Sequence, residues 1–202
     1  MTGQNVRVGL AWTVVPAPDP AAPAALRALT LAVTEHGVAL VHFGSAAADG
    51  GAAAGRRAVA DAGRRLGVEP VADPERCASV AGELSEYLAG RRRRFDQPVD
   101  WRLTSGDQRT VLTALHAGVG YGATVTYGEL AVRSGAYRSE HRGLAARRVG
   151  AIMGSNPVPV VVPCHRVLAA DGLGGFGGGL PAKRWLLELE GALPPTLDLW
   201  PG

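Results

Sequence analysis

The run Pro163-Cys164-His165-Arg166 sets a thiol beside an imidazole, directly after the apolar segment Pro157-Val158-Pro159-Val160-Val161-Val162. A free cysteine is only about a few per cent thiolate near neutral pH. A neighbouring histidine that acts as its base, or as the cation that stabilises the thiolate, is what makes such a thiol a nucleophile. Taken alone, the pair better describes a buried core cysteine at the end of a strand. The second cysteine, Cys77, has no comparable neighbours and reads as structural. Two cysteines make no disulfide framework, and with neither a Cys-x-x-Cys pair nor clustered histidines there is no zinc ligand set to nominate. Both thiols are expected to be free, and no metal or other cofactor is expected.

Two further patterns bear on chemistry. Gly172-Leu173-Gly174-Gly175-Phe176-Gly177 matches the G-x-G-x-x-G spacing of a dinucleotide site, but such a site opens a βαβ unit of about 30 residues with an acid about 20 positions on. Only one helix remains before Gly202. The glycines better suit a loop whose backbone closes around a flat ligand. Glu190 stands at the carboxyl end of that last helix, where the dipole disfavours an acid, and by itself reads as a surface residue.

These residues need elements to hold them. Residues 1–25, with Pro16, Pro18, Pro20 and Pro23, read as an extension or edge segment, because proline breaks helices and central strands alike. Leu29 to Phe43 is apolar and β-branched around Glu35-His36-Gly37 and predicts a hairpin; residues 46–55 read as a loop of small residues. Asp73-Pro74 and Gly90 bracket a helix over residues 74–89, with Leu84, Tyr87 and Leu88 on one face. Arg91-Arg92-Arg93-Arg94 begins a segment that runs past Pro98 to about Leu103 and reads as the link between domains 1–95 and 96–202. The arginines themselves read as solvated surface.

Capping-box patterns at Ser105/Gln108 and Thr126/Glu129 predict helices over 106–117 and 127–134. A polar connection over 135–142 leads to a helix over 144–155. There Val149, Ile152 and Met153 face a core, while Ala146, Gly150 and Gly154 leave another face nearly bare. The two helices suggest a helix-turn-helix. Glycine inside a helix costs about 1 kcal/mol relative to alanine, so something else requires the bare face. A last helix is expected from Pro181 to Gly191 with Trp185, Leu186 and Leu189 inward.

At 202 residues the chain has room for one large or two small domains. No stretch of about 18 uncharged apolar residues could span a bilayer, and no signal core follows Met1, so a soluble cytoplasmic protein without a membrane partner is expected. A net charge of +3 is compatible with a polyanionic partner without demanding one.

In combination, Asn156-Pro157, the apolar strand after it, Pro163-Cys164-His165-Arg166-Val167, the glycine-rich segment, Lys183-Arg184-Trp185-Leu186-Leu187 and Glu190-Gly191 resemble the O6-alkylguanine-DNA alkyltransferases, or methylated-DNA–protein-cysteine methyltransferases. The likeness runs from about residue 80 to 191, and more weakly from residue 25. It implies a ribonuclease-H-like α/β N-terminal domain and a mainly α C-terminal domain carrying a winged-helix-like helix-turn-helix. It also implies irreversible, single-turnover transfer of an alkyl group, typically methyl, from O6 of guanine or O4 of thymine in DNA to Cys164. His165 matches the family's base, acting through a water oriented in turn by the glutamate that Glu190 matches. A carboxylate behind an imidazole stabilises the imidazolium. Asn156 matches the asparagine that ties together the two structural elements of the site.

An alkylated base inside a duplex must be extruded before a buried thiol can reach it. By the same resemblance Arg147 matches the arginine that fills the vacated stack, and Ala146, Gly150 and Ala151 the small residues that let their helix lie in the minor groove. Tyr127 matches the tyrosine that assists departure of guanine, Met153 and Pro159 match pocket walls, and backbone near Gly177 would hold the guanine oxygen. Arg166, Val167, Phe176, Gly178 and Lys183 fall in the same substrate- and DNA-binding set. The implied partner is double-stranded DNA containing O6-alkylguanine, met in the minor groove with little sequence preference by a monomer.

Phe176 departs from a usual tyrosine, and Asp107 and Leu112 from common phenylalanine and tryptophan; the turn between Gly135 and Arg147 is longer than usual. A noncatalytic alkylated-DNA-binding protein or a regulatory helix-turn-helix protein would use the same helix pair without needing Cys164, His165 and Glu190 together. A cysteine hydrolase would share the Cys-His pair but turn over.

Overall fold

The computed structural model describes residues 9–44, 51–137 and 141–194. The N-terminal unit is a four-stranded mixed sheet of β1 (Leu10–Pro16), β2 (Ala28–Thr34), β3 (Gly37–His42) and β4 (Pro70–Ala72), in the order β3-β2-β1-β4. β1 to β3 pair antiparallel and β4 joins β1 in parallel. The hairpin of β2 and β3 is the one its sequence predicts. The edge reading of residues 1–25 is corrected for β1, which lies inside the sheet between β2 and β4. The prolines begin only at Pro16, its last residue, and leave Leu10 to Val15 free to donate to the ladder.

Helices α1 (Ala52–Leu66) and α2 (Pro74–Leu88) cover the sheet. Residues 52–55, expected in a loop, are helical, and residues 46–50 of that loop lie outside the described residues. The face α1 buries is Gly55, Val59, Ala62 and Gly63, too small and too poor in large apolar side chains to give a helical pattern. A Cβ at Gly55 would sit 2.1 Å from Thr30 Oγ1, so the glycine sets how closely helix and sheet approach. α2 starts where expected: Asp73 accepts the Arg76 amide at 3.0 Å, with Pro74 in the first turn. Its buried face includes Cys77, Leu84, Tyr87 and Leu88.

The segment after Gly90 runs back along the sheet. Pro98 O accepts the Val38 amide at 2.8 Å, the Asp100 amide donates to Val38 O at 2.9 Å, and Thr34 Oγ1 donates to the Asp100 carboxylate at 2.6 Å. Arg92 of the arginine run is paired locally with Glu86 and Asp96.

The C-terminal unit is mainly helical: α3 (Gly106–Gly118), α4 (Tyr127–Ser134), α5 (Arg142–Gly154) and α6 (Gly179–Leu189), with a two-residue parallel pairing of β5 (Val125–Thr126) and β6 (Val167–Leu168). Of the two capping boxes, the one at Thr126/Glu129 forms, with the Glu129 amide 3.1 Å from Thr126 Oγ1 and the Thr126 amide 2.8 Å from Glu129 Oε2. The one at Ser105/Gln108 does not. Ser105 makes no side-chain cap, and Gln108 Nε2 donates instead to Ser155 O and Oγ, a tertiary contact that outcompetes the local one.

α4 ends at Gly135 (φ +70°), and with α5 makes the helix-turn-helix. Residues 138–140 of the connection, and the length of its turn, lie partly outside the described residues. α5 buries Ala145, Val149, Ile152 and Met153.

Two expectations about the C-terminal unit are corrected. The apolar run Pro157–Val162 is a tight buried turn closed by a Pro159–Val162 bridge, with Val160 at φ +74°. A left-handed β-branched residue costs on the order of 1–3 kcal/mol and persists only where its surroundings enforce it. α6 begins at Gly179 and buries Ala182, Lys183, Leu186 and Leu187, leaving Trp185 and Leu189 half-buried. Lys183, expected among the substrate and DNA contacts, lies on the inner face, which rotates the stripe. Among the described residues no helix is long and apolar enough to cross a membrane.

Candidate active site

Cys164 opens a single 3-10 turn, Cys164–Arg166, directly after the strained Val160 turn. Asn156 holds that turn from within: its Nδ2 donates to Val162 O at 2.9 Å and its Oδ1 accepts the Val158 amide at 3.0 Å. The end of α5 and the nucleophile's turn are thereby joined. The thiol is 4% exposed, and burial pushes it up to about 11 against the opposing hydrogen bond from Asn156 and the charge of Lys183. Cys164 therefore rests as a thiol. Of the two ways a histidine can activate it, the base is the one this environment allows.

His165 is fully buried, and burial lowers its pKa despite the adjoining carboxylate. Its Nε2 lies 2.8 Å from Glu190 Oε1. Burial would raise the Glu190 carboxyl, but hydrogen bonds from His165 and Arg166 outweigh it and hold the group at about 2. An ionised carboxylate only accepts, so Nε2 carries the proton and Nδ1 keeps its lone pair. Nδ1 is buried and has no hydrogen-bond partner in the protein. It is the acceptor through which a thiol proton could leave. Glu190 thus touches the imidazole itself, and it is no surface acid: it is 6% exposed.

Arg166 is corrected from a substrate or DNA contact to part of this network. It is buried, with Nε 2.9 Å from Glu190 Oε2, Nη2 2.9 Å from Oε1 and Nη1 2.6 Å from Val119 O. The Gly122 amide adds a 3.1 Å bond to Oε2. Gly122 has φ +74°, and a Cβ there would stand 2.9 Å from Glu190 O.

Val167 and Lys183 are likewise buried supports instead of contacts. Val167 pairs with Val125, so β5 and β6 set the start of α4, and with it Tyr127, against the nucleophile's turn. Lys183 Nζ donates to Val167 O, Leu173 O and Gly175 O, pinning the glycine loop over the site; burial draws its pKa down to about 8.

The open side of Cys164 is a cavity of about 840 Å³ walled by Tyr127, Ala146, Gly150, Met153, Phe176 and Gly177, with exposed Arg147 at its lining. Tyr127 OH donates to Gly175 O at 3.3 Å; burial raises its pKa. Pro159 lines a second, smaller cavity of about 310 Å³ that also reaches Cys164, together with His42 at the end of β3 and Phe43 after it. Phe176 packs edge-on against Phe43 at 5.1 Å and faces the His165 ring at 6.4 Å. A Cβ at Gly178 would press on both rings, at 3.1 and 3.3 Å, so this glycine makes room for that stack. Ala151 is exposed on α5 outside both cavities.

The bare face of α5 is not a packing requirement. A Cβ on Gly150 would meet only Tyr127 Cε1 at 3.9 Å, and one on Gly154 would meet nothing within 4 Å.

Sequence reasoning missed Tyr87 and Phe43, both from the N-terminal unit. The Tyr87 hydroxyl donates to Glu190 Oε1 and lies 3.3 Å from His165 Nε2. Its place in an inward stripe was the available signal, since a buried tyrosine hydroxyl needs a partner.

Residues 107–192 match the family described as 6-O-methylguanine DNA methyltransferase, DNA binding domain. The chain is 42% identical over 125 residues to the methylated-DNA–protein-cysteine methyltransferase of Mycobacterium tuberculosis strain H37Rv, spanning 61% of this chain and 71% of that one. It is 43% identical over 116 residues to the protein of the same name from Methanopyrus kandleri, spanning 57% and 82%. Among solved structures it is similar to Mycobacterium tuberculosis OGT in complex with DNA, with a TM-score of 0.66 and 31% identity over 89% of this chain and 92% of that one.

Proposed function

Because the chain belongs to the methylated-DNA–protein-cysteine methyltransferase family, we propose that it repairs DNA by moving an alkyl group, typically methyl, from O6 of guanine onto Cys164. The observation that carries this reading is a neutral, buried thiol opening onto a cavity and followed in the same turn by an imidazole whose buried Nδ1 has no partner in the protein.

The thiol proton passes to His165 Nδ1 through a bridging water, and Glu190 stabilises the imidazolium that forms. Sulfur attacks the alkyl carbon as the carbon–oxygen bond breaks, and the electron pair of that bond returns to the purine. Tyr127 donates its proton to the departing guanine and regains one from solvent. The products are unmodified guanine and a thioether. Among the described residues no second thiol stands ready to take the group on, since Cys77 is buried in the core, so each molecule acts once.

The partner is double-stranded DNA. We propose that α5 enters its minor groove with Ala146, Gly150 and Ala151 against the backbone, that Arg147 occupies the space the extruded base leaves, and that the protein works as a monomer with little sequence preference. Glycines that the fold itself does not require support this docking. The domains at 1–95 and 96–202 belong to the same proposal, with the segment 96–104, bonded to β3, as their joint.

Arg147→Ala tests the extrusion step. Unstacking costs a few kcal/mol, so the variant should slow transfer from a methylguanine duplex by on the order of 10²-fold while reacting with free O6-methylguanine almost as wild type. Equal losses on both substrates would refute the role of Arg147.

A further inference from the structure

Resting on the transfer chemistry above, we propose that Tyr87 is a positioning residue for that reaction: its hydroxyl, supplied by α2 of the N-terminal unit, holds Glu190 so that His165 offers Nδ1 as the base. Tyr87 is wholly buried and its hydroxyl reaches two polar atoms, Glu190 Oε1 and His165 Nε2, both members of the relay. A tyrosine placed for packing alone could satisfy its hydroxyl on any backbone carbonyl. Here it is aimed at the carboxylate oxygen that the imidazole also uses.

The ring is fixed for the task, tilted against Phe95 at 5.2 Å and edge-on to Tyr121 at 6.0 Å. Burial, and then the nearby Glu190 charge, keep the phenol protonated far into the alkaline range, so it is a donor at every working pH.

The consequence follows from how a hydrogen bond distributes charge. A phenol donating to Oε1 draws density from the carboxylate and weakens its pull on the Nε2 proton. Without that donor Glu190 stabilises the imidazolium more strongly, Nδ1 takes up a proton at higher pH, and it can no longer accept one from Cys164. The other groups facing His165 are Arg166 in its own turn and Lys183 on α6, which both oppose protonation, and the neutral Cys164 thiol. Around Tyr87 itself stand Glu190, Arg166, His165 and Tyr121. Among these only Glu190 favours the imidazolium, and Tyr87 moderates it.

The test is the acid limb of single-turnover transfer from a methylguanine duplex, followed between about pH 5 and pH 8. In the wild type the limb should lie below the ordinary histidine value of 6.5. Tyr87→Phe should move it upward by about half to one unit and slow transfer at pH 6 by about three- to tenfold, with DNA affinity unchanged. Leu84→Ala, which opens a cavity on the same helix face, should lower thermal stability without moving the limb.

A fluorinated tyrosine at position 87 keeps the shape and donates more strongly, and should move the limb the other way; it decides the question should the phenylalanine variant not fold. Limbs that superimpose on wild type, in either variant, overturn the proposal. Absence of methyl uptake by the wild type would instead overturn the transfer reading on which it rests.

Discussion

Glu190 is both buried and charged, a combination that survives only because its two oxygens accept from Tyr87, His165, Arg166 and the Gly122 amide. Removing the charge would leave the Arg166 guanidinium buried without its counter-ion, and Glu190→Gln should lower the unfolding free energy at neutral pH by about 3–5 kcal/mol. The loss should depend on pH in a stated direction. The folded carboxyl sits at about 2 against an ordinary 4.5, so its stabilisation is complete above about pH 4.5 and drains away as the pH falls toward 2. That gap is worth about 3 kcal/mol. Denaturant unfolding should therefore separate the two proteins by about 2 kcal/mol more at pH 7 than at pH 3. Asp100, also held low at about 2 through Arg102 and Thr34 despite its burial, contributes the same slope to both. An equal gap at both pH values would mean that Glu190 is not depressed in the folded state.

α5 has a face that its own fold leaves unused, and its energetics can be separated from its function. Gly150→Ala should stabilise the free protein by about 1 kcal/mol, since the added methyl meets only Tyr127 at van der Waals distance, and should weaken binding to duplex DNA. Thermal melting and a DNA titration check both halves; a variant that gains stability and binds as wild type would take the docking face away from α5. The start of this unit was legible because Thr126/Glu129 carries its information locally, as Asp73-Pro74 does for α2. Ser105/Gln108 fits the same pattern, yet Gln108 is claimed by Ser155 from 47 residues away, which no local pattern reveals. α1 was illegible because its buried stripe is two glycines, an alanine and a single valine, and the Pro157–Val162 run misled because apolar content marks burial without distinguishing a strand from a turn.

At the scale of the whole molecule, the nucleophile and its base lie on one short turn and could be read from adjacent letters, whereas the groups that tune them come from far along the chain. Glu190 meets His165 across 25 residues and Tyr87 across 103, and Phe43, the residue after β3, backs Phe176 over the site. The sheet unit is thus part of the active site, through contacts that burial alone could not announce. Both cysteines are buried thiols held near 11, so burial and acidity do not distinguish them. What separates them is that Cys164 opens onto the cavity and Cys77 does not. Incubating the protein with excess methylguanine duplex and weighing first the intact chain and then its peptides should give one added methyl, on the peptide containing Cys164 and none on that containing Cys77, with Cys164→Ala taking up nothing. Several equivalents of repaired guanine per protein with the chain unmodified, or a methyl on Cys77 alone, would contradict single-use transfer to Cys164.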